Sequence, residues 1–244
     1  MSIRGLAPWL NLIAIADTLK RDMAALHFAA PVTHVYNPLD YAWNNYETYL
    51  ARFGTGRREV VLLGMNPGPW GMMQTGVPFG DPRLVRDWMG ISGQVKAPRT
   101  QHSKRPILGF NCPRGEVSGQ RLWGWAKDTF GSAEAFFAHF FVLNYCPLCF
   151  LEESGRNRTP DKLPRAEQID LFEACDRALA RAVEWLAPRH VIGIGQFAAA
   201  RARCALDGIK VGTAPHPSPA NPAANRGWGR LMNQTLRAQG VQIK

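Results

Sequence analysis

Cysteine is scarce in this chain and forms no disulfide framework. Five cysteines occur among 244 residues, and only the pair in Cys146-Pro-Leu-Cys149 is regularly spaced. No second Cys-x-x-Cys or His-rich segment accompanies that pair, as a zinc or iron–sulfur site would require. The pattern excludes a disulfide-stapled secreted domain, argues against a metal centre and favours a reducing cytoplasm, with the nucleoid as the place of action in a bacterium.

Long apolar runs are also absent. No stretch approaches the roughly 18 apolar residues that a membrane-spanning helix needs, and no secretory leader is recognisable, so we expect no membrane partner. Hydrophobic residues make up 46% and charged residues 20% of the chain, as in ordinary globular proteins. The length suits a single α/β domain over residues 1–244.

Acidic residues are outnumbered by basic ones. Lys plus Arg total 29 against 19 Asp plus Glu, a formal net charge of +10. The excess is concentrated in residues 94–121 and 225–244. This balance favours a polyanionic partner, nucleic acid first. The alternative, two solvated basic faces, stays open on charge alone.

Two familiar motifs of nucleotide-binding and hydrolytic enzymes are missing. The chain has neither the Gly-x-x-x-x-Gly-Lys-Ser/Thr of a P-loop nor a Gly-x-Ser-x-Gly nucleophile elbow. Its densest Gly/Pro segment, Gly64–Gly80, lacks the Gly-x-Gly-x-x-Gly spacing of a dinucleotide site. The sequence therefore lacks the phosphate-binding loops of these nucleotide-binding proteins and the nucleophile motif of a serine hydrolase.

Gly64–Gly80 nevertheless stands out among the features that are present. It follows Glu59–Leu63, an apolar run that predicts a strand buried on both faces. Connections in α/β units usually need about 2–6 residues, and this one is far longer. Because open α/β sheets bind ligands where strands end, the segment is predicted to form the active site.

Further apolar runs predict the rest of a sheet. Three of them, Phe140–Tyr145, His190–Gly195 and Ile209–Pro215, have the length of strands. Helical spacing is predicted for Asp17–Phe28, Asp40–Phe53, Asp81–Met89, Ser118–Phe130, Ala133–Phe137, Pro164–Leu186, Gln196–Leu206 and a last helix ending near Ala238. Strands separated by helices predict an α/β fold with a doubly wound, mainly four-stranded parallel sheet flanked by helices.

Polar residues lie where several of these strands end. Asn66 follows the first strand, Asn144 lies in the second and His216 follows the fourth. In a parallel sheet all three converge at the carboxyl edge, although each alone is more often a satisfied turn residue. No carboxylate lies in Gly64–Gly80, so an ordinary general base is not visible. An Asn positions water without deprotonating it, which suits a reaction whose leaving group departs first.

Two longer motifs resemble those of one enzyme family. Gly64–Gly80, together with His216-Pro-Ser-Pro-Ala-Asn-Pro and Asn225-Arg-Gly-Trp228, resembles the signature motifs of the single-strand-selective monofunctional uracil-DNA glycosylases. Three intervening stretches are similar to the same family, namely Gly115–Gly119, Val142–Leu148 and Ser154–Pro160. The resemblance covers about residues 30–240 in order, and it implies a uracil-DNA glycosylase-like fold without a cofactor.

The resemblance also implies an activity. The family hydrolyses the N-glycosidic bond of uracil, and of 5-substituted uracils such as 5-hydroxymethyluracil, in single- and double-stranded DNA. It leaves an abasic site for base excision repair and does not cut the strand. By the same resemblance, Asn66 holds the attacking water and His216 donates a hydrogen bond to O2 of the departing uracil anion.

Substrate contacts follow from the resemblance position by position. The backbone at Met65 is expected to face O2, and Gly68 leaves room at C5 beside Met72. Phe79 is expected to stack on the flipped base. Asn144 is expected to read the Watson–Crick edge, where cytosine would leave buried polar groups unpaired at a cost of ~1–3 kcal/mol each.

The DNA contacts implied by the resemblance surround the second motif. They are Ser118, Pro217, Ser218, Pro219, Asn225 and Arg226. Ala220 departs from the family, which often has a long basic residue there, so we expect weaker invasion of duplex DNA. Trp70 replaces a common Phe. We expect a monomer whose partner is DNA.

Four alternatives remain beside this interpretation. One is a non-catalytic module that binds DNA lesions on the same fold, and another is a glycosylase acting mainly on a different deaminated base such as xanthine. A zinc deaminase using Cys146 and Cys149 lacks a His-x-Glu partner motif. A sibling branch with an iron–sulfur cluster requires cysteine spacing that this chain does not have.

Overall fold

The computed structural model describes residues 11–243. Its elements in chain order are α1 (Leu12–Ala24), β1 (Val32–Tyr36), α2 (Pro38–Tyr41), α3 (Trp43–Phe53), β2 (Val60–Gly64), α4 (Met72–Thr75), α5 (Pro82–Asp87), α6 (Val117–Phe130), α7 (Ala133–His139), β3 (Phe140–Asn144), β4 (Cys149–Glu152), β5 (Asn157–Arg158), α8 (Arg165–Leu186), β6 (His190–Ile194), α9 (Gln196–Ala205), β7 (Lys210–Ala214) and α10 (Trp228–Ala238). Three short 3-10 segments lie at Gly109–Asn111, Pro160–Lys162 and Ala224–Arg226.

A four-stranded parallel sheet lies at the centre, in the order β3-β2-β6-β7. Every residue of β2 is buried, as expected for a strand covered on both faces. The register pairs Gly64 with Asn144 at the carboxyl ends of β2 and β3. The sequence prediction of an α/β fold with four parallel strands is therefore confirmed.

Helices flank this sheet and pack closely against it. The long helix α8 packs between α1 and α9, and α9 lies on β6. Gly193 permits that approach, because a Cβ at this position would overlap the backbone of Ala199. The main hydrophobic core runs from Leu12 to Val241 and includes β2, β3 and β6.

A second sheet was not predicted. It is antiparallel, with the order β1-β4-β5. In β1 only Val32 and Tyr36 are buried, and the intervening residues are polar or partly exposed, so no apolar run marks it. The strand β4 begins at Cys149, the second cysteine of the Cys-x-x-Cys, and is only four residues long. The missing signal explains the omission.

Two N-terminal helices differ from their predicted bounds. The first begins at Leu12 rather than Asp17, because the Asn11 side chain accepts the N–H of Ala14 as an N-cap. The predicted helix Asp40–Phe53 is divided at Ala42, whose backbone is not helical. The other predicted helices and strands agree with the structure to within a few residues.

Candidate active site

A small cleft opens at the carboxyl edge of the parallel sheet. Its lining residues come from the ends of β2, β3 and β7 and from the loops between, namely Asn66, Gly68, Met72, Phe79, Glu116, Ser118, Asn144 and His216. The structure thus brings together Asn66, Asn144 and His216, as their positions in the predicted sheet required. Met65 lies beside the cleft, where its carbonyl accepts the N–H of Cys146 at 2.9 Å.

Asn66 is oriented by a backbone carbonyl. Its Nδ2 donates to the carbonyl oxygen of Leu148 at 3.1 Å, just beyond the end of β3. This bond assigns the amide orientation, since a carbonyl can only accept. Oδ1 is left available to accept a hydrogen bond from a water in the cleft. The geometry suits a residue that holds water without removing its proton.

His216 is held in one tautomer. Its Nδ1 accepts the backbone N–H of Ser218 at 3.1 Å, so the proton of the neutral ring is on Nε2. Burial lowers the pKa of His216 below its usual 6.5, which keeps the ring neutral near pH 7. Protonation would also place two N–H groups face to face at Nδ1. His216 is therefore a neutral donor through Nε2.

Phe79 forms one wall of the cleft in an unusual backbone conformation. Its φ is +53°, in the left-handed region that a bulky residue rarely adopts. Trp123 Nε1 donates to the carbonyl of the preceding Pro78 at 3.2 Å and helps to hold this turn. The Phe79 ring lies over Gly64, where a Cβ would be 2.6 Å from Cε2. The ring is thus positioned as a flat surface for stacking.

Asn144 lies deep in the cleft at the end of β3. Its Nδ2 points at Met72 Sδ, 3.2 Å away, and its Oδ1 lies against Gly64. A thioether is a weak acceptor, so the amide donor has no strong competing partner there. Both the donor and the acceptor of this amide are available to a base edge.

Glu116 was not predicted as a site residue, yet its carboxyl group lines the cleft. It lies against Gly68, where a Cβ would be 2.6 Å from Oε2. Burial raises the pKa of Glu116, while backbone N–H groups of Trp70 and Ser118 bond to the carboxyl and partly offset that rise. Gly64–Gly80 contains no carboxylate along the sequence, but Glu116 brings one to the same cleft in space.

The segment after His216 is a braced loop. Trp228 Nε1 donates to the carbonyl of Pro215 at 2.7 Å, and Asn221 Nδ2 donates to that of His216 at 3.0 Å. Asn225 Nδ2 donates to the carbonyl of Pro219 at 3.0 Å. These bonds explain why the second motif contains Asn and Trp.

Arg121 fastens the same loop to α6. Its guanidinium donates to the carbonyl of Pro217 and to Asn225 Oδ1, both at 2.8 Å. It therefore acts as a scaffold rather than as the free phosphate contact that its place in the basic segment suggested.

The predicted DNA-contact residues occupy different depths. Pro219 and Arg226 are exposed on the braced loop, and Asn225 is exposed while serving as a brace. Pro217 is buried, and Ser218 is partly buried with its Oγ accepting the N–H of Ala220. Ser118, named above, lines the cleft in the first turn of α6 instead of lying on its rim.

A basic and aromatic cluster lies beside the first motif. The guanidinium carbons of Arg105 and Arg114 are 5.1 and 4.7 Å from the ring centre of Trp70. Within residues 11–243 neither side chain forms an ion pair. We call Trp70, Arg105 and Arg114 the rim cluster. Two positive charges on an aromatic face suit phosphate and base contacts.

Other functional classes have little support in the described part of the chain. Among residues 11–243, no group of three or more His, Cys, Asp or Glu side chains is placed to hold a metal ion. Cys146 and Cys149 are buried and unpaired, and burial raises the pKa of the Cys149 thiol. No helix between these bounds is long and apolar enough to cross a bilayer.

Comparison with known proteins defines the class. Residues 51–237 match the family model of the Uracil DNA glycosylase superfamily. The fold is similar to the crystal structure of wild-type Pedobacter heparinus SMUG2, with a TM-score of 0.65 and 17% identity over 93% of this chain and 98% of that one. Sheet, cleft and family model together describe a member of this superfamily.

Curated relatives identify the branch. The chain is 48% identical to the single-strand selective monofunctional uracil-DNA glycosylase of Rattus norvegicus over 227 residues, which cover 91% of this chain and 82% of the relative. The Mus musculus protein of the same name is 47% identical over 91% of this chain and 81% of its own length. The chain belongs to the single-strand-selective monofunctional uracil-DNA glycosylase family, which confirms the resemblance inferred from the motifs.

Proposed function

We propose that this protein excises uracil from DNA by hydrolysing the N-glycosidic bond and leaves an abasic site. The observation that carries this proposal is the pairing of two polar groups across one cleft. Asn66 presents Oδ1 to a water, and His216 presents Nε2–H as a neutral donor. The names and identities of the relatives support the same activity.

The two groups divide the chemistry between leaving group and water. The N1–C1′ bond breaks first, and its electron pair goes to the uracil ring, which departs as an anion with charge on O2. His216 Nε2–H stabilises that charge where it develops, without being protonated. The water held by Asn66 then adds to C1′, and its proton passes to solvent or to the departed uracil. This order needs no strong general base.

Base recognition is assigned to the opposite side of the cleft. Asn144 donates to O4 and accepts from N3–H, and Phe79 stacks on the ring. Cytosine presents the reversed donor and acceptor pattern on this edge. It would leave the Asn144 amide groups without partners, and each unpaired group costs ~1–3 kcal/mol of binding free energy. Gly68 and Met72 leave space near C5, which suits 5-substituted uracils such as 5-hydroxymethyluracil. The backbone at Met65 is assigned to O2.

The surface around the cleft is assigned to DNA. The base must leave the stack to reach the cleft, which costs a few kcal/mol in a duplex and less in a single strand. The exposed tip at Pro219, Asn225 and Arg226 is suited to the space that the base vacates, and Ser218 to the adjacent DNA backbone. Of the other two expected contacts, the buried Pro217 supports the loop and Ser118 faces the flipped nucleotide inside the cleft. We propose that one monomer performs the whole reaction, since every group assigned to it comes from one chain.

The proposal is tested with a uracil-containing single-stranded oligonucleotide. Wild-type protein should yield strand breaks only after alkali, because excision leaves an intact strand with an abasic site. Asn66→Ala and His216→Ala should each lower the excision rate by roughly 10²–10³-fold, with unchanged circular dichroism and thermal unfolding. Breaks before alkali, or full activity in both variants, would contradict the mechanism.

The same assay separates the second candidate, a non-catalytic lesion-binding module. Such a module would retain uracil-containing DNA in a binding assay with no abasic product. Oligonucleotides containing xanthine in place of uracil test whether another deaminated base is the main substrate. The presence of both Asn66 and His216 in the cleft favours catalysis over binding alone.

A further inference from the structure

Glu116 places a carboxyl group in the cleft that the mechanism above does not use. The Glu116 side chain packs against two glycines of the first motif. A Cβ at Gly68 would be 2.6 Å from Oε2, and one at Gly71 would be 2.8 Å from Cγ. The backbone of the first motif and the Glu116 side chain therefore fit directly against each other, and the carboxyl forms part of the cleft wall.

Glu116 is held in place by a buried aspartate. Asp81 is 1% exposed, and its Oδ2 accepts both the backbone N–H of Glu116 and Nε2 of Gln120 at 3.0 Å. Its Oδ1 accepts the N–H groups of Arg83 and Leu84 and caps α5. This anchor fixes the backbone at Glu116, and the backbone N–H groups of Trp70 and Ser118 hold its carboxyl group in the cleft.

The wall can be followed from Asn144 to Glu116. Asn144 contacts Met72 through Nδ2 and Sδ, and the neighbouring Gly71 touches the Glu116 side chain. On the proposed function, which this step requires, Asn144 pairs with N3–H and O4 of the base. The ring atom next to C4 is C5, so the wall beyond Asn144, formed by Met72 and Glu116, faces the C5 position.

We propose that Glu116 is a specificity-determining residue that accepts a hydrogen bond from a hydroxyl-bearing substituent at C5 of the pyrimidine. A carboxylate is an acceptor only. It therefore favours a hydroxymethyl group, which can donate, over a formyl group, which can only accept. Uracil, with hydrogen at C5, makes no such bond. The residue thus ranks substrates by the hydrogen-bonding character of their C5 group.

The test measures kcat/KM for DNA containing uracil, 5-hydroxymethyluracil or 5-formyluracil. In Glu116→Ala, the ratio of 5-hydroxymethyluracil to uracil should fall roughly 10- to 100-fold, as for loss of a hydrogen bond to a charged group. In Glu116→Gln, the new amide N–H can donate to a formyl oxygen. The kcat/KM for 5-formyluracil should therefore rise relative to that for 5-hydroxymethyluracil. Glu184→Gln, at an exposed position on α8, is the matched control and should leave all ratios unchanged.

The ratios keep this proposal separate from the proposed function. Loss of all three activities in equal proportion in both variants would make Glu116 merely structural and overturn the inference. An unchanged ratio in Glu116→Ala would overturn it too, while the isosteric Gln variant guards against misfolding. Absence of uracil excision in the wild type would instead overturn the proposed function itself.

Discussion

His216 donates through one ring nitrogen because the other is already occupied. Ser218 N–H fills Nδ1, and burial lowers the pKa of His216. We expect its NMR titration midpoint to lie below 6.5, the ordinary value. Because the unfolded ring binds its proton more tightly, His216 lowers folding stability only as the pH falls below about 6.5. A midpoint above 6.5 would contradict the lowered pKa that burial of His216 predicts.

Gly64 is the position where a single methyl group should disable recognition. A Cβ there would overlap Asn144 Oδ1 and lie 2.6 Å from Phe79. Displacing either group by about 1 Å can lower the rate by about 10²-fold, so Gly64→Ala should lose uracil excision to this extent while remaining folded. The assay is single-turnover excision, with thermal unfolding measured in parallel.

Gly124 provides the control for that substitution. It lies within α6 with nothing within 4 Å of an added Cβ. Gly124→Ala should retain full activity and gain about 0.5–1 kcal/mol of stability, the usual preference for Ala in a helix. Equal losses of activity in the two variants would refute the role given to the Gly64 contact.

The residues at the strand ends were predictable, whereas Glu116 was not. Asn66, Asn144 and His216 each follow or end a strand, so sheet topology alone brings them together. Glu116 reaches the cleft through the hydrogen bond of its backbone to Asp81, 35 positions earlier. No periodicity or spacing records such a long-range bond. Its presence in a stretch similar to the family was a signal, but without an assigned role.

At the scale of elements, the braced loop after β7 presents Ala220 at an exposed tip. Ser218 Oγ and the Asn225–Pro219 hydrogen bond hold the tip in shape. A methyl group cannot fill the space of an extruded base, so duplex substrates should be poor relative to single strands. Ala220→Arg should raise excision from U:G and U:A duplexes more than from single strands. No gain on U:A would contradict this role for the tip.

The control for Ala220→Arg adds the same charge elsewhere. Ala138 is exposed on α7, which leads into the amino end of β3, opposite the cleft edge. Ala138→Arg should leave the ratio of duplex to single-strand rates unchanged. If both variants raised duplex rates equally, net charge rather than the exposed tip of the braced loop would be responsible.

Element prediction succeeded for the four parallel strands and failed for the short antiparallel ones. The strands β2, β3 and β6 are covered on both faces and appear in the sequence as apolar runs, and the partly exposed β7 was predicted beside them. The sheet β1-β4-β5 covers a small core around Tyr36, Tyr41 and Met73. The strands β1 and β5 are largely exposed or half-buried, and the buried β4 has only four residues, so each carries a weak signal and long-range pairing decided their structure.

At the scale of the whole molecule, the basic segment at residues 94–121 is attached to Gly64–Gly80, the loop that follows β2. Gln74 Oε1 accepts the N–H of Leu108 at 2.8 Å, and its Nε2 donates to the carbonyls of Pro69 and Pro106. Tyr36 accepts the N–H of His102 and donates to the carbonyl of Arg105. The basic residues of this segment, the loop after β2 and the cleft therefore form one structural unit. Composition alone could not establish that connection.

The rim cluster should contribute part of the salt dependence of DNA binding. Binding to a single strand weakens with salt with a slope of about −0.7 per neutralised phosphate. If Arg105 and Arg114 each contact one phosphate, replacing both with Ala should reduce the slope of log Kd against log salt by about 1.4. Fluorescence anisotropy with an uncleavable single strand between low and moderate salt measures this slope.

Removing a charge elsewhere tests whether the position of those two arginines matters. Arg181 is exposed on α8 and outside the cleft, so Arg181→Ala removes one charge without removing a rim contact. Its slope should stay at the wild-type value, because a contact rather than net charge releases counterions. Trp70→Ala should weaken binding at every salt concentration and leave the slope unchanged, since stacking carries no ion release. If Arg181→Ala lowered the slope as much per charge removed as the double Arg105 and Arg114 variant does, the +10 net charge would act as a diffuse field, with no role for the rim cluster.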